Sequence, residues 1–213
     1  MSFQNRVTPE GEIIATTARG MFMGNRGQLH TAEKTLTDRR WTWQGWVTCV
    51  LSFKSRHREI MAPGRYTELF FLDEAVALAA GHRPCGECRP DAYQAFRRGW
   101  EATLGNAGEP ISVIDRCLHK ARVNSRTREQ IRHRRTIDGL PDGTFVQFEG
   151  EPEMAGAWLV HGQSLLRYTP SGYDRTEPRL KGASVVVLTP SPTVEVLDAG
   201  YRPTLHDSTI INA

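Results

Sequence analysis

The pair Cys85-Gly-Glu-Cys88, which stands between two prolines, constrains the fold of this chain more than any other stretch of it. Two cysteines three positions apart, on a turn that a glycine allows to fold back, can place both thiolates on one ion at about 2.3 Å. Flanking Arg83 and Arg89 favour the thiolate form. A redox pair would follow a strand and open a helix directly, whereas here a helical pattern precedes the pair and a proline follows it, so metal binding is favoured.

The stretches on either side of this turn predict helices. Asp73 is a good N-cap for an alanine-rich run, and Gly81 is a good stop for the same run. A second helix is predicted with Asp91 as its cap. Apolar residues recur at steps of three and four over residues 93–104, and Gly105 follows them. The apolar stripe of this second helix is interpreted as core.

The remaining patterns predict strands and a division into two units. Apolar residues alternate over residues 47–53, which predicts a strand with Cys49 on its core side, and residues 66–72 predict a second strand. Beyond residue 138, short strand patterns lie between turn signals. The predicted fold is therefore α+β. It has a first unit, 1–138, with the Cys-x-x-Cys turn and a basic segment, and a smaller β-rich unit, 139–213.

One short echo occurs between the two units. The run Leu78-Ala-Ala-Gly-His-Arg-Pro84 is matched by Leu197-Asp-Ala-Gly-Tyr-Arg-Pro203. A repeated domain would share more than this, so we interpret the echo as two uses of the same chemistry for ending a helix.

A tetrahedral zinc site needs two donors besides Cys85 and Cys88. Cysteine and histidine candidates elsewhere in the chain are Cys49, His57, His82, Cys117 and His119. We predict Cys49 and Cys117 as the third and fourth ligands, although each also fits a core cysteine, Cys49 on a strand and Cys117 on a helix face. Four cysteines are too few for a disulfide scaffold, which suits a reducing compartment and predicts a cytoplasmic protein.

The basic residues are unevenly distributed. Residues 1–150 carry 22 basic against 17 acidic residues, whereas residues 151–213 carry 5 against 7, and 23 of the 27 basic residues are arginine. Arginine suits bidentate contacts to phosphate, although a GC-rich genome or a solvated face would also account for it. The predicted nucleic-acid contacts lie beside the cysteine turn and in two basic clusters: Arg56, Arg58, Arg83, Arg89, Arg126 and Arg128.

The run Asp73-Glu-Ala-Val-Ala-Leu-Ala-Ala-Gly-His-Arg-Pro-Cys-Gly-Glu-Cys-Arg-Pro90 resembles the metal-binding module of the Ada adaptive-response proteins over residues 69–93. The resemblance implies a four-thiolate zinc centre that contacts DNA and, in Ada, accepts a methyl group from a backbone phosphotriester. The other cysteine pair of that module would fall on Lys54 and Arg58, and neither residue is a metal donor. The methyl-acceptor role is therefore not carried over.

Three functions follow from these patterns. The first is a zinc protein that binds DNA through a basic face. The second is a metal-dependent enzyme acting on DNA or nucleotides, although no signature unites its acid and base groups and no catalytic residue is assigned. The third is a protein-interaction module with a purely structural zinc. Four protein ligands would indicate a structural site and three an open one.

No apolar run is long enough to cross a bilayer and no secretory signal is seen, so no membrane partner is expected.

Overall fold

The computed structural model describes residues 2–54 and 59–211 and shows a mixed α+β fold. These residues form two six-stranded sheets and five α-helices, which confirms the predicted class. The first sheet contains β1 (Gln4–Val7), β2 (Ile13–Ala15), β3 (Phe22–Asn25), β4 (Val47–Val50), β5 (Leu69–Phe71) and β6 (Arg83–Pro84). The second contains β7 (His133–Thr136), β8 (Phe145–Gln147), β9 (Trp158–His161), β10 (Ser164–Thr169), β11 (Gly172–Pro178) and β12 (Ser184–Val187). The helices are α1 (Glu74–Ala79), α2 (Pro90–Thr103), α3 (Ile111–Arg122), α4 (Ser191–Asp198) and α5 (Ser208–Ile211).

The order of strands in the first sheet is β2-β1-β5-β3-β4-β6. Strand β5 pairs in parallel with β1 and antiparallel with β3, and β4 pairs in parallel with β6. Residues far apart in sequence therefore become neighbours across the sheet. This order places the Cys-x-x-Cys turn, which leaves β6, beside the end of β4.

Helix α1 lies in the core and all six of its residues are buried. It begins where the sequence predicts, because the Asp73 carboxylate accepts a hydrogen bond of 3.0 Å from the Val76 amide. Five of its six residues are apolar, as is typical of a buried helix, and the sixth, Glu74, is also buried. One hydrophobic cluster joins α1 to both sheets and includes Leu69 and Phe71 of the first and Phe145 of the second.

The second sheet runs in the order β11-β10-β9-β8-β12-β7. Its own cluster contains Trp158, Val160 and Val185, and Val194 of α4 packs with them. Strand β7 precedes residue 138 in the chain and pairs with β12. The division into units 1–138 and 139–213 stays a prediction about domain organisation.

Helices α2, α3 and α4 pack together around a third cluster that includes Phe96, Trp100 and Ile114. The predicted apolar stripe of α2 is confirmed at Phe96 and Trp100, whereas Leu104 is 43% exposed. The helix starts with a proline at its first position, so Asp91 lies in the first turn and is not the N-cap.

The sequence echo marks two equivalent helix ends, as predicted. Gly81 and Gly200 have φ angles of +85° and +101°, which a residue with a Cβ rarely adopts. In each case the glycine amide donates to the carbonyl three residues back, and the next amide donates to the carbonyl five residues back.

A bilayer-spanning helix is not found in the part of the chain that the structure describes.

Candidate metal centre

The Cys-x-x-Cys turn lies between β6 and α2. The Arg89 amide donates a hydrogen bond of 3.1 Å to the Cys85 carbonyl and closes the turn. The sulfur of Cys85 accepts hydrogen bonds from the amides of Glu87 and Cys88. Amide groups aimed at sulfur stabilise its anionic form. The local sequence therefore builds the two-cysteine half of a metal site.

Strand β4 brings a third cysteine to this turn. Thr48 lies beside Pro84 in the parallel pairing of β4 with β6, and the Cys85 amide donates to the Thr48 carbonyl at 3.0 Å. The sulfur atoms of Cys49, Cys85 and Cys88 all lie within 4.8 Å of one another. Three thiolates bound to one tetrahedral zinc at about 2.3 Å are about 3.8 Å apart, so the cluster fits such an ion.

The prediction that Cys49 faces the core is wrong. Strand β4 is shorter than the alternating pattern, and Thr48 is the fully buried residue in it, while Cys49 is half-buried and lines a cavity. The cavity wall is itself mostly apolar. Hydrophobic alternation therefore could not distinguish the face of β4 that meets the core from the face that meets the cavity.

The three sulfurs share hydrogen bonds. The Cys49 thiol donates to Cys85, and this contact lowers the pKa of Cys85 to about 5. The same contact, together with burial, raises the pKa of Cys49, and burial raises that of Cys88. These contacts favour the thiolate form at Cys85 over that at Cys49 or Cys88. Metal binding would displace their protons, because thiolate is the ligand form of cysteine.

The fourth predicted ligand, Cys117, does not join this cluster. Cys117 is exposed on α3, and His57 lies outside the described residues. Within residues 2–54 and 59–211, the three-cysteine cluster is the only group of three or more such donors close enough to hold an ion. The structure therefore offers three protein ligands to a metal in this part of the chain.

His82 and His119 belong to a separate buried cluster around Trp46. Their ring centroids lie 5.3 Å and 6.1 Å from that of Trp46. The guanidinium carbons of Arg26 and Arg122 lie 4.3 Å and 3.8 Å from the centre of the same ring. Burial lowers the pKa of His119 to about 4 and that of Arg26 to about 9. These side chains hold the segment before β4 against the helices.

A cavity of 610 Å³ opens beside the three cysteines, and all three line it. Its wall is largely apolar and includes Met23, Phe53 and Phe70. Charged side chains also line it, namely Arg6, Arg19, Glu68 and Glu87. A concave, mainly apolar space with a few polar groups is the usual form of a small-molecule site.

Two of the predicted nucleic-acid contacts serve inside the chain instead. Both Nε and Nη2 of Arg83 donate to Asp115, at 2.7 Å and 2.8 Å. Arg89 forms an ion pair of 2.7 Å with Glu74 of α1. Both arginines are buried. A buried guanidinium bound to a carboxylate is not available to a phosphate, so we do not assign Arg83 and Arg89 to that role.

The remaining predicted nucleic-acid contacts are Arg56, Arg58, Arg126 and Arg128. Arg56 and Arg58 lie outside the described residues. Arg126 and Arg128 are exposed in the turn after α3, and Arg128 donates to the Asp38 carbonyl at 3.1 Å. The side chain of Arg116, on α3, is also exposed and precedes them in the same basic segment.

The cavity residues Arg6, Met23 and Phe70 were not among the predicted site residues. The sequence pattern could have indicated them, because each lies next to a buried residue of its own strand and so on the opposite face of the sheet. Phe22, Leu69 and Phe71 face the core, so the residues between or beside them face the other side. Finding the site, however, also required the order of the strands.

Comparison of the chain with protein-family models, with curated proteins and with solved structures finds no match. The function of the site is therefore inferred from its own chemistry.

Proposed function

We propose that Cys49, Cys85 and Cys88 hold one zinc ion whose fourth coordination position faces the cavity. The observation that carries this proposal is the position of three sulfur donors, within 4.8 Å of one another, on the wall of a 610 Å³ cavity. Thiolate donors select zinc among the common divalent metals of low redox activity. Zinc with three protein ligands and an open position is the catalytic type of site.

When bound, such a zinc ion supplies Lewis acidity to a ligand in the cavity. The chain itself orients the site. Strands β4 and β6 fix the relative positions of the cysteines, and the amides of the turn stabilise the negative charge on Cys85. We therefore propose a metal-dependent protein that binds or transforms a ligand, rather than one in which the metal only supports the fold.

Replacement of zinc by Co²⁺ tests whether the fourth position is open. The visible spectrum of Co²⁺ depends on the number and type of its ligands. We expect azide to shift the spectrum of the cobalt protein in a saturable way, and the Cys117→Ser variant to respond in the same way. A spectrum that azide does not change would contradict the open site. It would favour a fourth protein ligand and the protein-interaction module with a structural zinc.

The Ada-type resemblance remains a proposal alongside this one. The helix end, the arginine-proline pair and the Cys-x-x-Cys turn support it, and Cys49 of β4 lies beside the cysteines of the turn. The four-thiolate centre that the resemblance implies needs one more cysteine than the cluster contains. We do not propose a methyl-acceptor role.

DNA is the second proposed partner, and the exposed basic side chains that follow α3 support it. Arg126 and Arg128 lie within a segment that has few acidic residues. Each phosphate contact contributes about −0.9 to the slope of log affinity against log salt concentration. We expect the double variant Arg126→Gln, Arg128→Gln to make this slope less negative by about 1.8, because two phosphate contacts are lost.

Fluorescence anisotropy with a labelled duplex between about 50 and 200 mM salt measures this slope. Arg98→Gln is the matched control, since Arg98 is exposed on α2 outside the basic segment. The slope of log affinity against log salt concentration should therefore differ between the double variant and the other two proteins, wild type and Arg98→Gln. Equal slopes for all three, or an affinity that does not depend on salt, would reject DNA binding by this segment.

A further inference from the structure

The floor of the cavity is one face of the first sheet. Arg6 of β1 pairs with Phe70 of β5, Phe70 pairs with Met23 of β3, and Met23 pairs with Cys49 of β4. These four side chains form a row across four adjacent strands, and all of them line the cavity. The sheet therefore joins the thiolate cluster to an arginine through an apolar strip.

The two ends of this row are well separated. Strands β1 and β4 are three strand spacings apart in the order β1-β5-β3-β4. Neighbouring strands lie about 4.8 Å apart, so the backbones at Arg6 and Cys49 are about 14 Å apart. The Arg6 guanidinium lies over the Phe70 ring, 4.7 Å from its centre, so its charge is about two strand spacings, or about 10 Å, from Cys49. A ligand that touches both ends is elongated. A single inorganic anion or a water molecule does not span this distance.

The arginine end of the cavity carries excess positive charge. Arg19 is exposed at the cavity and Arg6 is half-buried. Burial and the charge of Arg19 lower the pKa of Arg6. Among the described residues, no carboxylate lies within 4.0 Å of either guanidinium. The hydrogen bonds of Arg6 go to the neutral oxygens of Ala18 and Asn5. Two adjacent cations without a counter-charge favour an anion between them.

Polar groups elsewhere on the wall differ in character. Glu87 lies within the cysteine turn, and Glu68 accepts a hydrogen bond of 2.8 Å from the Met61 amide. Asn25 lines the cavity and is 7% exposed, and its Oδ1 has no hydrogen-bond partner within residues 2–54 and 59–211. The anionic group of a ligand is therefore directed to the arginine end.

We propose that the cavity binds an elongated organic anion. Its anionic group lies against Arg6 and Arg19, its apolar body lies over Met23, and its other end points to the three cysteines. The inference rests on the proposed function only for the end of the ligand that meets the metal. Phosphate, sulfonate and carboxylate groups share the required chemistry, because arginine donates paired hydrogen bonds to each of them.

The probe is 8-anilinonaphthalene-1-sulfonate, an aromatic anion whose fluorescence rises in apolar surroundings, compared with its uncharged parent, N-phenyl-1-naphthylamine. Both are titrated into the full chain loaded with zinc. We expect Arg19→Gln to weaken binding of the sulfonate about tenfold, as for the loss of one charged hydrogen-bonding contact. Binding of the uncharged parent should change less than about twofold, because the apolar strip is intact. Arg98→Gln, on the surface of α2, should change neither.

Equal weakening of both probes by Arg19→Gln, or no weakening of either, would overturn the anion site. Zinc content measured on the same samples separates this result from the proposed function. One zinc per chain without an effect of Arg19 would reject the anion and leave the metal centre. Selective loss of sulfonate binding in a protein that holds no zinc would support the anion site and reject the metal centre.

Discussion

Replacement of Cys85 by serine is expected to reduce the zinc content from about one ion per chain to nearly none. Only two sulfur donors of the cluster remain in this variant, and a serine hydroxyl is a poor zinc ligand. Because the metal binds the folded chain, its loss also lowers stability. At free zinc a thousandfold above the dissociation constant, the free energy of unfolding should fall by about 4 kcal/mol.

Elemental analysis of purified protein and urea unfolding measure these two effects. Cys117→Ser is the matched control and should keep the zinc, since Cys117 is exposed on α3 away from the cluster. The three hydrophobic clusters do not include the metal ligands, so the variant should still fold. Wild-type protein without zinc would contradict the proposal. So would native thiols that alkylate freely while a chelator leaves the melting temperature unchanged.

Replacement of Glu74 by glutamine is expected to destabilise the protein by about 3 kcal/mol, the lower end of the range for breaking a buried ion pair. Glu74 is 1% exposed and pairs with buried Arg89 at 2.7 Å, and it accepts hydrogen bonds from the Tyr201 hydroxyl and the Thr204 amide. Glutamine keeps the size of the side chain but removes its charge. The guanidinium of Arg89 is then buried without a counter-charge.

The matched control for this variant is Glu149→Gln. Glu149 forms an ion pair with Arg134, and both side chains are about 60% exposed. A pair of this kind contributes less than about 1 kcal/mol, because water and salt screen it. Urea unfolding of the zinc-loaded proteins measures both changes. Equal, small effects of the two substitutions would show that burial does not strengthen the contact between Glu74 and Arg89.

The contact between Glu74 and Arg89 also shows why the sequence alone misleads about the basic residues beside the cysteines. The sequence predicts that they bind phosphate, whereas the structure pairs them with carboxylates. In the sequence, Arg83 and Arg89 are two positive charges next to a predicted metal site. Their partners Asp115 and Glu74 lie 32 and 15 positions away, and only packing of α3 and α1 beside the turn brings them into contact. Charge along a chain does not reveal whether a side chain is exposed, since exposure depends on what packs over it.

Local chemistry determined the parts of the fold that could be predicted. The Asp73 cap and Gly81 act on their own neighbours, so both ends of α1 follow from short-range hydrogen bonding and steric limits. The Cys85 and Cys88 pair is likewise a local turn. The sequence by itself therefore determined two of the three cysteines in the cluster.

The sequence predicts both Cys49 and Cys117 as further ligands, and tertiary structure brings only Cys49 to the turn. Cys49 reaches the turn because β4 pairs with β6, across 36 positions of sequence that include β5 and α1. The cavity and its arginine end depend on the order of four strands from separate parts of the chain. Strand pairing of this kind is selected by the free energy of the whole packed core, which no short stretch of sequence contains.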